Sequence, residues 1–322
     1  MPKKYGLPYK GSKSRLADRI FALMPSGETF VDLFAGGCAM THAAIKKGFT
    51  NIICNDITDI PQVFVGALEG KYDNEDRWIS REDFFALKDT DPYVRLVWSF
   101  GNNLRGYLYG KPIEPYKKAL HWAVYYQDAE PLKKYGIDVS EAVKKEDRYE
   151  RWLAVKRAVT AFMSGGQESP PSQADRLEHE ERRASLSAIN YHHWKDTLRF
   201  ATLRSNKRTT LNINQLPPPN LRVTQLDYQA VEIPQGAVVY ADPPYKGTDG
   251  YTNKFDHERF YQWLRTRDFP VYVSEYAMPS DFICIGEFAH NVTLSAQSNN
   301  KTIERVFIHE KFKDKVIATS LF

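Results

Sequence analysis

The sequence predicts an α/β fold in which a Rossmann-like sheet is interrupted by an inserted, mainly helical lobe. Two short apolar runs carry this prediction, because each ends at residues that stop a strand. The first is Thr29–Leu33, which a glycine turn follows, and the second is Ala237–Ala241, which two prolines follow. Between them the apolar residues have helical spacing, which indicates an insertion within the sheet-forming sequence.

The segment Thr29–Met40 has the pattern of a strand, a tight turn at Gly36–Gly37 and the start of a helix. Such a turn lets a cofactor approach the backbone in Rossmann-type sheets. A pyrophosphate site is disfavoured, since the three-glycine spacing and the P-loop Lys-Ser pair are both missing. The next strand, Asn51–Asn55, ends at Asp56, where such sheets place an acid on ribose hydroxyls. Capping of the helix that follows explains Asp56 equally well.

The tetrapeptide Asp242-Pro243-Pro244-Tyr245 follows the second run at once. Proline cannot continue a ladder or a helix, so the motif lies at a strand's carboxyl end, where open α/β sheets bind ligands. Asp242 can accept a hydrogen bond from a planar amine, a carbonyl of Pro243 or Pro244 can accept a second, and Tyr245 can stack on the ring. The alternative is a turn that only ends the strand.

Taken together, these motifs resemble the DNA adenine methylases of the Dam-like, alpha-ordered class. The tetrapeptide matches the catalytic motif of that family. The resemblance also assigns residues to an S-adenosylmethionine site, through an amino-terminal motif, the glycine loop, a ribose acid and a pair that holds the cofactor adenine. These residues are, in that order, Tyr9, Lys10 and Lys13; Asp32, Phe34, Ala35, Gly36 and Gly37; Asp56; and Asp227 with Tyr228. Without the resemblance, Lys10 and Lys13 are explained equally well as solvated charges.

The resemblance implies an S-adenosylmethionine-dependent methyltransferase sheet and transfer of a methyl group to the exocyclic amine of a flipped adenine in double-stranded DNA. The same fold could instead act on a cytosine amine, on RNA or on a protein side-chain amide. A further alternative is a DNA-binding relative that has lost catalysis. Asp242 at the first motif position resembles the adenine enzymes, and the intact tetrapeptide and glycine loop argue against an inactive relative.

Three later segments also enter this prediction. Ser274-Glu275-Tyr276 resembles the family's Ser-x-Tyr strand end, and Lys301 with Glu304 resembles its late Lys-x-x-Glu element. A surface ion pair explains the last two residues better. The segment Lys246–Lys254 has the glycines and polar groups of a lid that could close over a flipped base.

We predict a catalytic domain formed by residues 1–66 and 209–322 and an inserted target-recognition lobe formed by residues 67–208. Ser80 and Asp83 have capping-box spacing at the start of a helix, Arg81–Lys88, and Trp152–Met163 has helical apolar spacing. A linker is expected at Ser164–Ser172, and a long amphipathic helix is expected at Ala174–Phe200.

Two stretches of the lobe are candidates for DNA contact. Asn102–Lys111 interleaves amides, aromatic residues and Arg105, which suits base contacts. Positive charge without an intervening acid suits phosphates, and it is concentrated in Arg199, Arg204, Lys207 and Arg208. Solvated helix ends and aromatic packing, with Tyr107 and Tyr109 in the core, explain the same residues nearly as well.

Composition narrows the class of protein further. The 322 residues include 42% hydrophobic residues, enough for a sizeable core, and the net charge of +4 permits nucleic-acid contact without demanding it. Three scattered cysteines, and the adjacent His192 and His193, suit neither a zinc cluster nor a disulfide framework, so no metal is expected. No segment predicts a membrane span, and we expect a cytoplasmic protein.

Overall fold

The computed structural model of the protein describes residues 5–164, 220–246, 255–292 and 300–317. The chain divides into two compact units, one formed by Met1–Asp73 with Asp196–Phe322 and the other by Asn74–Lys195. The expected linker after Ser164, the expected helix Ala174–Phe200, the boundary after residue 208 and the expected lid at residues 247–254 lie outside the described residues.

The first unit contains a seven-stranded sheet with the order β3-β2-β1-β4-β5-β7-β6. Strands β1 to β5 pair in parallel, whereas β7 runs antiparallel to both β5 and β6. The strands are β1 Thr29–Asp32, β2 Asn51–Asn55, β3 Asn220–Thr224, β4 Val238–Ala241, β5 Val271–Glu275, β6 Phe282–Val292 and β7 Asn300–His309. This mixed sheet confirms the predicted Rossmann-like α/β class.

The predicted strands are confirmed to within a residue at the segments that matter for the site. β2 has the predicted bounds, Asn51–Asn55. β4 begins at Val238, one residue later than predicted, because the N–H of Ala237 donates to the Pro234 carbonyl in a turn. Both strands are almost wholly buried, as expected of parallel strands covered on two faces.

The described part of this unit contains five α-helices. They are α1 Ala17–Phe21, α2 Ala39–Lys46, α3 Ile60–Glu69, α9 His257–Arg265 and α10 Lys313–Ile317. α2 connects β1 to β2 and α9 connects β4 to β5, which is the βαβ arrangement that parallel neighbours require. Apolar residues of α9, Phe260 and Leu264 among them, pack into the core formed by the central strands.

The second unit is helical in the part that the structure describes. Its helices are α4 Arg81–Leu87, α5 Pro92–Val97, α6 Glu114–Tyr125, α7 Glu130–Lys133 and α8 Arg148–Ser164. The predicted capping box is present, since Ser80 Oγ accepts from the Asp83 N–H and Asp83 Oδ2 accepts from the Ser80 N–H. The predicted helix Trp152–Met163 is confirmed within the longer α8.

Membrane-spanning helices and clusters of metal-binding side chains are the next two features to consider in the described residues. None of the helices in this part of the chain is long and apolar enough to cross a bilayer. No group of three or more His, Cys, Asp or Glu side chains in the same part is placed to hold a metal ion.

The end of β2 depends on one side chain that the sequence did not reveal, Asn55. Its amide nitrogen donates to the carbonyls of Leu33 and Leu226, both at 3.0 Å. Its amide oxygen accepts from Thr224 Oγ1 at 2.8 Å and from the Leu226 N–H at 3.0 Å. One buried amide therefore joins the loops that follow β1 and β3.

We expect Asn55→Ala to lower the free energy of unfolding by about 1–3 kcal/mol, because buried backbone groups lose their partners. Urea unfolding measures this change. The matched control is Asn51→Ala at the other end of the same strand, which we expect to cost less than about 0.5 kcal/mol. Equal losses in the two variants would contradict the special role of Asn55.

Candidate functional site

The site lies where β1 and β4 are neighbours, since the strand order reverses at this pair. Asp32 on β1 is in register with Tyr240 on β4, and the Leu33 N–H donates to the Tyr240 carbonyl at 3.0 Å. Open α/β sheets bind ligands beyond the carboxyl ends of strands at such a point. The glycine turn after β1 and the Asp242 tetrapeptide after β4 therefore occupy one edge of the sheet.

The glycine turn is shaped by close approach of the amino-terminal segment. Gly36 has a φ of +47°, and a Cβ atom there would lie 2.8 Å from the Tyr9 ring. A Cβ atom on Gly37 would lie 2.6 Å from Tyr9 Cβ and 3.0 Å from the Leu7 carbonyl oxygen. The Leu7 N–H donates to the Gly37 carbonyl at 2.7 Å. Glycine is required at both positions because no other residue leaves room for this contact.

Asp56 is tied to the turn rather than left open to solvent. Its Oδ2 accepts from the Gly36 N–H at 2.8 Å, and its Oδ1 accepts from the backbone and hydroxyl of Thr58 at 2.8 and 2.7 Å. Helix α3 begins later, at Ile60, and has Asp59 as its N-cap residue. The capping alternative is thus wrong in its details, because Asp56 stabilises the Thr58 bend and the glycine turn instead.

Asp32 is fully buried beneath the turn. Its Oδ2 accepts from the Thr41 N–H at 3.0 Å and from Thr41 Oγ1 at 2.7 Å. No described residue donates to its Oδ1, although that atom is buried. Burial raises the pKa of Asp32 to about 7, against the opposing effect of the Thr41 hydrogen bonds.

The remaining residues assigned to the cofactor surround this turn. The Phe34 ring lies 5.4 Å from the Tyr228 ring, and Tyr228 is part of the core with its hydroxyl unbonded to any described residue. Asp227 accepts from the Gln229 N–H at 3.0 Å and lies 3.5 Å from the Arg259 guanidinium. The Ala35 N–H donates to the Asn55 carbonyl, and Lys10 is exposed.

Asp242 lies in a buried cluster with two further charged side chains. Its Oδ2 is 2.8 Å from Lys13 Nζ, and Lys13 Nζ is 3.5 Å from Glu304 Oε1. The side chains of Lys13 and Glu304 are only 8% and 4% exposed. Two alternatives from the sequence are therefore wrong: Lys13 is not a solvated charge, and Glu304 does not belong to a surface ion pair.

The other oxygen of Asp242, Oδ1, is buried and receives no hydrogen bond from any described residue. Burial raises the pKa of Asp242 to about 6, with Lys13 lowering it and Glu304 raising it. Asp242 thus combines an available acceptor oxygen with more basicity than an ordinary aspartate.

Tyr245 is held by its hydroxyl and by its ring. The hydroxyl donates to Glu304 Oε1, and the Lys13 ammonium lies 4.7 Å from the ring centroid. The ring meets Tyr276 edge-on at 4.6 Å. Ser274, the other residue of the predicted Ser-x-Tyr element, hydrogen-bonds Tyr240 at 2.6 Å beneath the motif.

Two more residues at this edge were not identified from the sequence. His257 Nε2 lies 2.8 Å from the Pro244 carbonyl oxygen, and since a carbonyl only accepts, Nε2 carries the hydrogen. Glu275 is buried, and burial raises its pKa to about 7. Its Oε1 accepts from the Tyr276 N–H at 2.8 Å. His257 stands in no recognisable motif, and Glu275 is only the unspecified middle residue of the Ser-x-Tyr element, because each reaches the tetrapeptide only through the fold.

The helical unit places Arg105 on a tightly bonded loop. Asn103 Oδ1 accepts from the N–H groups of Arg105 and Gly106 at 2.9 and 3.2 Å, and Ser99 Oγ accepts from the Leu104 N–H at 3.0 Å. Arg105 is exposed and forms no ion pair within the described part of the chain. Tyr107, in contrast, is a core residue whose hydroxyl donates to the Ile79 carbonyl. The other predicted DNA contacts, Arg199, Arg204, Lys207 and Arg208, lie outside the described residues.

Comparison with protein families gives one match for this chain. Residues 9–93 match the family described as the D12 class N6 adenine-specific DNA methyltransferase. The matched segment includes Tyr9, Lys13, the glycine turn and Asp56, and it ends before the Asp242 tetrapeptide. A comparison with curated proteins gives no match.

We expect Gly37→Ala to weaken S-adenosylmethionine binding by about tenfold or more, because the added methyl group displaces the Tyr9 segment from the turn. Isothermal titration calorimetry measures the affinity. Gly106→Ala is the control, since a Cβ atom there meets nothing within 4 Å. Normal binding by the Gly37 variant would show that the turn tolerates the shift and that its close packing is not needed for the cofactor.

Proposed function

We propose that the chain, whose residues 9–93 match the D12 class of N6 adenine-specific DNA methyltransferases, is a member of that class, and that Asp242 and the Pro243 carbonyl hold the target amine during methyl transfer. The protein is an S-adenosylmethionine-dependent enzyme of DNA adenine methylation, on a Rossmann-like sheet. The single observation that carries the residue assignment is the buried, unbonded Oδ1 of Asp242 at the reversal point of the sheet.

The choice of Pro243 as the second acceptor follows from His257. Because His257 Nε2 donates to the Pro244 carbonyl, that carbonyl already has a partner. Pro243 has no N–H of its own, and its carbonyl is the remaining acceptor of the rigid pair. Asp242 and Pro243 together offer one acceptor for each hydrogen of an exocyclic amine.

Two acceptors solve a chemical problem that is specific to aromatic amines. The amine lone pair is delocalised into the ring, so the nitrogen is a weak nucleophile. Hydrogen bonds that favour a tetrahedral nitrogen return the lone pair to it and raise its reactivity. After transfer the nitrogen is acidic, and Asp242, whose pKa is raised to about 6, can accept the departing proton.

The glycine-turn edge fits S-adenosylmethionine, which supplies the methyl group when bound. Asp32 Oδ1 and the Tyr228 hydroxyl are buried polar atoms that no described residue bonds, so they are available to a polar ligand. The acidic side chains at this edge, Asp32 and Asp56 among them, suit a ligand with a positive sulfonium centre. The residues proposed to hold it are Tyr9, Lys10, Asp32, Phe34, Ala35, Gly36, Gly37, Asp56, Asp227 and Tyr228. Lys13, which the sequence also assigned to the cofactor, contacts Asp242 instead.

The target base must leave the helix to reach this site, because the family's chemistry requires a flipped adenine. We propose that Tyr245 stacks on that base, with its ring fixed through the hydroxyl bond to Glu304. Flipping implies a duplex, so double-stranded DNA is the proposed substrate. A cytoplasmic location is proposed with it, since DNA is the proposed substrate.

Asp242→Ala should abolish methyl transfer and leave S-adenosylmethionine affinity within a few-fold, since the lost oxygen serves the target amine. In the wild-type enzyme, single-turnover transfer should fall as the pH drops below about 6, because protonation removes the Asp242 acceptor. Asp242→Asn keeps a neutral acceptor, so its residual activity should lack this acid limb.

Transfer of labelled methyl groups from S-adenosylmethionine measures both effects. Three substrates are tested in parallel: duplexes that contain adenine, duplexes in which a segment of one strand lacks adenine, and RNA. Methyl transfer to cytosine or to RNA would identify an enzyme of the alternative class. Near-normal turnover by Asp242→Ala would remove Asp242 from the reaction.

We also propose that the loop carrying Arg105 contacts bases of the recognition sequence. Gly101, Asn102 and Leu104 have φ values of +59°, +54° and +65°, so the loop maintains an unusual backbone that its hydrogen bonds stabilise. It presents Arg105 and Phe100, the latter 67% exposed, to solvent. A fixed loop with an unpaired arginine suits base contacts better than a solvated helix end does.

Arg105→Ala should weaken binding to the methylatable duplex by about 1–3 kcal/mol and leave binding to a scrambled duplex unchanged. Sequencing methylated DNA from cells expressing the chain identifies the duplex, and titrations at several salt concentrations give the affinities. Arg77→Ala is the control, because Arg77 is exposed on the same unit but paired with Glu75 and Asp91. A uniform loss with a shallower salt slope would make Arg105 a phosphate contact.

A further inference from the structure

Glu304 occupies an inward position on β7, whereas Ile303 is exposed and Arg305 is half-buried. Side chains of a strand alternate between faces, so Glu304 lies on the same face as the buried Val306 and Ile308. Arg305 faces the other way and bonds the exposed Glu287 at 2.6 Å. A lone carboxylate in phase with the apolar side of a strand needs a buried partner.

Within the described part of the chain, the side chains that bond or pair with the Glu304 carboxylate belong to the proposed amine site. Its Oε1 accepts from the Tyr245 hydroxyl and lies 3.5 Å from the Lys13 ammonium. The same ammonium lies 2.8 Å from Asp242 Oδ2. One ammonium group therefore contacts two carboxylates, the buried Glu304 and the half-buried Asp242, and the Tyr245 ring proposed to stack on the base is hydrogen-bonded to Glu304.

This sharing has an electrostatic consequence for Asp242. An ammonium paired with a single carboxylate favours its ionised form and makes it a poor acceptor for a proton. A second carboxylate on the same ammonium opposes this effect, because like charges disfavour ionisation. Glu304 in fact raises the pKa of Asp242, while Lys13 lowers it.

We propose that Glu304 is a positioning residue for methyl transfer. It fixes the Tyr245 ring, and it shares the Lys13 ammonium with Asp242, so that Lys13 orients the Asp242 carboxylate without fully neutralising its negative charge. The inference rests on the proposed role of Asp242. Glu304 lies outside both the segment that matches the family and the tetrapeptide. No other side chain of β7 is among the described contacts of Asp242.

Several other titratable groups face this cluster and must be separated from Asp242 in any pH measurement. Burial raises the pKa of Glu275 to about 7, and the negative charge of Glu304 raises it further. The pKa of Asp32 is raised in part by the charge of Asp242 and lowered by the hydrogen bonds from Thr41. Among the described residues, the titratable side chains that interact electrostatically with Asp242 include Lys13, Asp32, Tyr240, Tyr245, Glu275, Tyr276 and Glu304, and His257 lies next to Glu275.

The test is the pH profile of single-turnover methyl transfer by the full chain at saturating S-adenosylmethionine and duplex. Glu304→Gln keeps the length of the side chain and removes its charge, so the acid limb should move to lower pH by about one unit. Glu304→Asp keeps the charge and loses reach to Tyr245, so the limb should stay while the plateau rate falls several-fold. Each profile is repeated in a Glu275→Gln background, so that Glu275 cannot supply the limb.

Lys13→Gln provides a test of opposite sign, which keeps the proposal falsifiable if a Glu304 variant does not fold. Removal of the ammonium should move the acid limb to higher pH. The control is Glu287→Gln, which removes an equal charge from the exposed face of the neighbouring strand and should leave the limb in place.

The outcomes distinguish this inference from the proposed function. A slower Glu304→Gln enzyme with an unmoved limb would overturn the inference and leave Glu304 a structural residue. An acid limb that survives in Asp242→Asn would overturn the role of Asp242 itself. Opposite shifts in Glu304→Gln and Lys13→Gln, with no shift in Glu287→Gln, would support the shared ammonium.

Discussion

The site depends above all on the parallel pairing of β1 with β4. These strands are far apart in the chain, and the whole helical unit lies between them in sequence. Their pairing fixes the glycine turn and the Asp242 tetrapeptide at one edge, because both segments leave their strands in the same direction. Without the backbone bond from Leu33 to Tyr240, the two motifs would have no defined relation to each other.

Burying several carboxyl groups at this edge is costly, and the structure offsets that cost only in part. Asp32, Asp242 and Glu275 each have one buried oxygen without a hydrogen bond from any described residue. Burial accordingly raises the pKa of all three. A structural core would satisfy or replace such groups. Their retention at the point where the strand order reverses is typical of a site that completes its hydrogen bonds with ligands.

Local patterns in the sequence were sufficient for the strands, the capping box and the two main motifs, since these depend on residues adjacent in the chain. Asn55, His257 and Glu304 were missed or misinterpreted because their partners come from distant segments. Glu304 illustrates the limit. The sequence shows that Glu304 alternates in step with Val306 and Ile308 and so shares their face of the strand. It does not show that β7 pairs with β5, and this position in the sheet is what brings Glu304 to Tyr245. Lys13 was assigned to the cofactor but contacts Asp242, and the sequence missed this contact for the same reason.

The amino-terminal segment connects the two halves of the site physically. Tyr9 packs on Gly36 and Gly37, where any side chain would displace it, and Lys13, only four residues later, reaches Asp242. We therefore expect a ligand at the glycine turn to affect the segment that carries Lys13. Because Lys13 contacts Asp242, the proposed cofactor edge and the proposed amine edge are connected through five residues of backbone. This arrangement favours an amine site that is fully assembled only when the methyl donor is in place.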